Sequence, residues 1–121
     1  MKKKEIKILD GLWSDKIKDR AGYKCEHCGI RGVRMEAAHV VGRRHRATRW
    51  GYAGSFSGYD LCGHCFCHNC HQQYDEHGPL EHDISHRTVG LARKMIIQGE
   101  ASKLVSQSQD FNEIKETLER M

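Results

Sequence analysis

Three Cys-x-x-Cys pairs carry the most chemistry per residue in this chain: Cys25 with Cys28, Cys62 with Cys65, and Cys67 with Cys70. Two intervening residues let one tight turn deliver both sulfurs to a single ion, and zinc takes four thiolate or imidazole ligands in a tetrahedron. One structural zinc therefore needs two of the pairs. The run YKCEHCGIRG reads as a zinc knuckle closed by Gly29. We expect Cys67 and Cys70 to complete it, because they open a predicted helix and leave His71 to point elsewhere from its first turn. Cys62 and Cys65 could instead take that place, hold a second ion with His64 or His68, act as a redox pair, or fill interior positions as small apolar residues.

The elements that must position these ligands are legible in outline. Leu9, Leu12, Trp13, Ile17 and Ala21 recur at helical spacing over 9–21, with Gly22 placed as a stop. Residues 33–41, VRMEAAHVV, suit a strand with His39 near its far end. A Gly-, Ser- and Arg-rich stretch from Gly42 to Gly58 has no apolar period and reads as a long loop. Residues 59–66 suit a second strand and 69–76 a helix, ended before Pro79. An apolar helical pattern follows over 88–105, and a last helix over 111–121 opens with Asp110 and Glu113 spaced as a capping box. These carboxy-terminal helices are expected to pack or to form a dimer rather than do chemistry.

At 121 residues the chain reads as a single domain with a modest core, so a metal brace is physically useful. The apolar residues of MKKKEIKILDGLW are interrupted by Lys7 and Asp10, no signal-peptide core follows, and no run is long enough to span a membrane. We therefore expect a cytoplasmic protein, and in that reducing compartment paired cysteines favour zinc over disulfides. Charge is uneven: residues 31–50 carry six arginines against Glu36 alone, whereas 51–86 have no Lys or Arg. A basic patch of this kind suits a polyanion.

The ordered combination of a CxxC knuckle, a strand ending in EAAH, an Arg-rich loop containing RRHRATRW and a late CHNCH resembles the HNH endonuclease family over roughly residues 10–78. That resemblance implies an α+β fold: a ββα-metal module, here braced by the four-cysteine zinc site, with flanking N-terminal and C-terminal helices, the latter an extension over 80–121. It implies that His39 is the general base on the attacking water, a task suited to a group that titrates near neutrality. It also implies that His71 ligates a catalytic divalent cation, Mg²⁺, Mn²⁺ or Ni²⁺, with Asp75 one helical turn on as a second candidate ligand. His77 and His82 fall beyond that helix.

Two positions depart from the family pattern. Ala38 stands where the family often has a metal ligand, and no Asn stands where its middle motif residue would fall, which is on or near Cys62. Asp60 or His64 could serve there, His64 being preferred as a catalytic residue between His39 and His71. The expected reaction is hydrolysis of DNA phosphodiester bonds, nicking as a monomer and cutting both strands as a homodimer. Arg43, Arg44, Arg46 and Arg49 would clamp flanking phosphates, while Trp50 and Tyr52 are expected to pack the loop onto the core rather than stack on bases. Small proteins of this kind are frequent in phages, where packaging or recombination proteins in the bacterial host cytoplasm would be partners. The rival reading is a non-catalytic zinc-stabilised nucleic-acid-binding module.

Overall fold

The computed structural model describes residues 1–40, 49–53, 59–75 and 110–121. Its elements in chain order are α1 (Lys3–Arg20), β1 (Met35–His39), β2 (Tyr52–Ala53), β3 (Tyr59–Asp60), β4 (Gly63–Cys67), α2 (His68–Asp75) and α3 (Phe111–Arg120). Arg43, Arg44, Arg46, His77, His82 and the predicted helical pattern of 88–105 lie outside the described residues, as does the side chain of Asp75.

Helix α1 starts six residues earlier than its apolar stripe suggests. Lys and Glu favour helix at the exposed amino end, and the Lys2 backbone N–H donates to Glu5 Oε1 at 2.9 Å. Leu9, Trp13 and Ile17, spaced by four, are buried along one face. The helix ends as the sequence predicts, at Gly22 with φ +65°. There Gly22 N–H donates to Asp19 O and Tyr23 N–H to Lys18 O, both at 3.0 Å, the paired closing bonds of a Schellman turn. Helix α3 packs on α1. Asp110 caps it by accepting from Asn112 N–H at 2.9 Å, and Leu118 is fully buried in the common core.

Strands β1 and β4 pair antiparallel, with Met35 opposite Cys67, Ala37 opposite Cys65 and His39 opposite Gly63. The single second strand expected over 59–66 is two pieces. Cys62 sits in the left-handed region at φ +55°, which no strand tolerates, so β3 ends at Asp60 and pairs only with β2, while β4 begins afresh at Gly63.

Alternation along the strands gives the hairpin two faces. One, with His39 and Gly63, lies against α1: Trp13 stacks on His39 and Trp13 Nε1–H donates to Leu61 O at 2.6 Å. The other, with Glu36, His64 and Phe66, meets α2 through Tyr74 and His71. Gly63 is what lets α1 approach. A Cβ there would stand 2.8 Å from Ile17 Cδ1 and closer still to the Trp13 ring. Gly63→Ala is accordingly expected to lower the unfolding free energy by about 1–3 kcal/mol, an overpacking cost read by chemical denaturation. Among the described residues no helix is long and apolar enough to cross a membrane.

Candidate functional site

The structure selects between the rival cysteine pairs. Cys25 and Cys28 are brought together by a turn in which Gly29 N–H donates to Cys25 O at 3.0 Å and Cys25 N–H to Ile30 O at 3.1 Å. Gly29 occupies the left-handed region at φ +79°. Cys67 ends β4 and Cys70 lies in the first turn of α2. The sulfurs of Cys25, Cys28, Cys67 and Cys70 all lie within 4.8 Å of one another, and Cys28 Sγ is 3.7 Å from Cys67 Sγ. Zn–S bonds of about 2.3 Å in a tetrahedron require sulfurs about 3.8 Å apart. The four cysteines thus fit a structural metal such as zinc, and their chemistry favours it.

The thiols differ by environment. Burial would raise Cys25, but hydrogen bonds from the backbone N–H groups of Cys28, Cys67 and His27 outweigh it and bring its pKa to about 7, toward the thiolate a metal needs. Burial pushes Cys70 up. Its Sγ is 3.4 Å from His27 Nδ1. Cys62 and Cys65 are buried and stand apart from the cluster. Cys65 is pushed up to about 11, chiefly by burial with the Glu26 carboxylate adding to it, so it is a neutral interior thiol.

His39 ends β1 in a defined setting. Its ring stacks on Trp13 with centroids 4.0 Å apart and planes 12° from parallel, and its Nε2 lies 3.1 Å from the Arg49 carbonyl oxygen. A carbonyl only accepts, so Nε2 carries the hydrogen and the neutral ring has its basic lone pair on Nδ1.

Arg49 is held from the other side. Its Nε and Nη2 donate to the two Asp10 carboxylate oxygens at 3.0 and 2.8 Å, and Trp50 Nε1–H donates to Asp10 Oδ1 at 2.8 Å. The Arg49 side chain is 16% exposed. In this structure the Arg49 fork, expected to clamp phosphate, is taken by a bidentate partner on α1. Trp50 is buried, as expected.

Burial would raise the Asp10 pKa, but the hydrogen bonds from Arg49 and Trp50 and the Arg49 charge outweigh it and hold it below the usual carboxylate value. Glu26 is likewise lowered against its burial, by His64 and by the Cys65 N–H at 3.0 Å. A carboxylate whose folded pKa is depressed contributes stability that is complete above its unfolded value, about 4, and is lost as pH falls through the folded value. Unfolding free energy is thus expected to fall below about pH 4, and Asp10→Asn, which cannot titrate, to show a shallower decline in denaturant titrations at successive pH values.

On the opposite face of β1, Glu36 faces α2. Its carboxylate accepts from His71 Nδ1 at 2.8 Å and from His68 Nδ1 at 3.2 Å, and these bonds, that of His71 foremost, lower its pKa. Glu36 stands two residues before Ala38 and so on the same strand face. Sequence reasoning passed over it, although the two-residue period from the missing ligand position points to it.

His64, expected beside the cation, is a buried ring at 2% exposure. It stacks on Phe66 at 5.1 Å, meets the edge of Tyr74 at 5.8 Å, and has its Nδ1 4.0 Å from Glu26 Oε2. His39, His64 and His71 do not gather into one ligand set, since the four cysteines are the one such group among the described residues. The Tyr74 hydroxyl donates to His39 O at 3.2 Å, so α2 does grip the end of β1 that carries His39. No protein-family model, curated protein or solved structure matches this chain.

Proposed function

We propose that this protein is a metal-dependent DNA endonuclease of the HNH type. The observation that carries the reading is the state of His39: an imidazole at a strand end, clamped flat on Trp13 and hydrogen-bonded through Nε2 to a backbone carbonyl, so that Nδ1 is its base. A ring held in one tautomer can take a proton without first reorienting. The antiparallel hairpin running straight into α2, with the cysteine cluster at that junction, supports the same reading.

In this mechanism His39 Nδ1 accepts the proton of a water attacking phosphorus in line with the leaving 3′ oxygen. Glu36 and His71 would hold the divalent cation on the α2 face of β1, so that the phosphate would lie across the strand end that separates them from His39; they are an oxygen and nitrogen pair that Mn²⁺ or Ni²⁺ accepts readily and Mg²⁺ accepts with water completing its shell. When bound, the cation supplies charge neutralisation at the phosphate and the leaving oxygen. The backbone of DNA is the substrate, and the arginines of the 42–48 segment are the proposed phosphate contacts.

Purified zinc-loaded protein is expected to convert supercoiled plasmid to the nicked form in Mg²⁺, Mn²⁺ or Ni²⁺ and not in EDTA. Absence of nicking with every one of these ions overturns the proposal. Ala38, buried and without a donor, favours the second reading, a zinc-stabilised nucleic-acid-binding module. That reading predicts salt-dependent DNA retention with no nicking.

A further inference from the structure

Asp10 takes no part in the chemistry drawn above, lies in a helix outside the hairpin, and yet is the hub of the hydrogen bonds around His39. It receives both arms of Arg49 and the Trp50 indole. One turn along the same helix face, Trp13 stacks on the His39 ring. The His39 Nε2–H bond ends on the backbone of the very residue whose side chain Asp10 grips. We infer that Asp10 is a positioning residue for His39, acting through Arg49, and the inference rests on the endonuclease reading.

The geometry gives each part a separate duty. Trp13 sets the plane of the imidazole, because a stacked ring cannot tilt without losing contact. It leaves rotation within that plane undetermined. A hydrogen bond at one ring nitrogen removes that freedom, but only if the acceptor is itself held in place, and Arg49 belongs to no helix or strand. A bidentate guanidinium–carboxylate pair fixes both the position and the plane of its partners, which a single hydrogen bond does not. The pair is anchored on α1, whose buried face is part of the core. The Arg49 carbonyl is thereby tied to the same rigid helix that carries Trp13, and the two restraints on His39 come from a single body.

This assignment separates Arg49 from the other arginines of the loop. It predicts that Arg49 contributes to turnover through its backbone and its ion pair rather than to DNA affinity.

The test uses the full zinc-loaded chain with Asp10→Ala, and with Asp10→Asn as the variant that keeps the side-chain volume and one acceptor oxygen. Two readouts are taken. The first is the His39 Nε2–H resonance in nitrogen-15 NMR, which a hydrogen bond to a fixed carbonyl protects from exchange with water. The second is single-turnover nicking at saturating plasmid, with DNA affinity measured separately. We expect the protected resonance in the wild type, its loss in Asp10→Ala and its weakening in Asp10→Asn, with zinc content unchanged. The nicking rate is expected to fall on the order of 10- to 100-fold, as for misplacement of a reacting group by a distant change, with DNA affinity within about twofold. Variants that fold with zinc and keep the wild-type resonance overturn the inference, as does a loss confined to DNA affinity. If the wild type nicks no DNA, the endonuclease reading falls by itself, and the resonance still decides whether Asp10 positions His39.

Discussion

Replacing Cys67 by serine is expected to unfold this protein at ambient temperature, and stripping the metal with a strong chelator is expected to do the same. Cys67 is the last residue of β4 and its sulfur sits 3.7 Å from that of Cys28 on the knuckle. The cluster therefore joins two pieces of chain that are distant in sequence: the knuckle after α1 and, 39 residues on, the junction at which β4 runs into the first turn of α2. Binding of zinc to such sites is folding free energy, roughly 10–16 kcal/mol in small zinc modules. Small domains hold only about 5–15 kcal/mol in total. Loss of a ligand thus removes a quantity comparable with the whole stability.

Cys65→Ala provides the contrast. It removes one buried core thiol that lies outside the four-cysteine group, so it is expected to cost on the order of 1–2 kcal/mol and leave one zinc bound. Elemental analysis for zinc and thermal unfolding by circular dichroism read both variants. Retention of a full equivalent of zinc by Cys67→Ser, with a melting temperature within a few degrees of wild type, would sink the assignment and return Cys62 and Cys65 to contention.

The second large effect concerns His39. Substituting it by Gln, which preserves much of the volume against Trp13, is expected to reduce nicking by about 10²- to 10⁴-fold, the usual contribution of a general base. Zinc content and DNA retention are expected to stay at wild-type levels. His64→Gln supplies the opposite pattern. That ring is packed between Phe66 and Tyr74 and approaches Glu26, so its replacement is expected to lower stability by roughly 1–3 kcal/mol as buried polar contacts are lost. Any fall in nicking should then track the folded fraction. Equal losses of melting temperature in both variants, with nicking following the folded fraction in each, would remove the base role from His39.

Local signals read correctly were those carried by a few adjacent residues. The four-residue spacing of Leu9, Trp13 and Ile17 and the glycine at position 22 define α1 and its end, since helical period and a left-handed stop need no distant partner. Asp110 caps α3 for the same reason. The knuckle turn at Cys25 and Cys28 is equally self-contained. His39 near the end of a strand was legible too, from the 33–41 pattern, although β1 stops at His39 itself.

The choice among cysteines was different. Cys62 with Cys65 and Cys67 with Cys70 have the same spacing, and the one local property that favours the second pair, its place at the opening of a predicted helix, points to the pair the structure uses without bringing it to the knuckle. What decides is that Cys62 adopts a positive φ and breaks the strand, which starts β4 at Gly63 and carries Cys67 and Cys70 to the knuckle. Partnerships across long separations were likewise out of reach. Arg49 looks like any other arginine of a basic loop until α1 brings Asp10, 39 residues earlier, to its guanidinium. Glu36 finds His71, 35 residues on, only because the register of β1 on β4 turns its side chain toward α2. Residue types and short spacings determine which chemistry is available, a thiolate cluster and a strand-end imidazole. The tertiary structure decides which groups meet, because register and packing, not sequence proximity, set the distances between them.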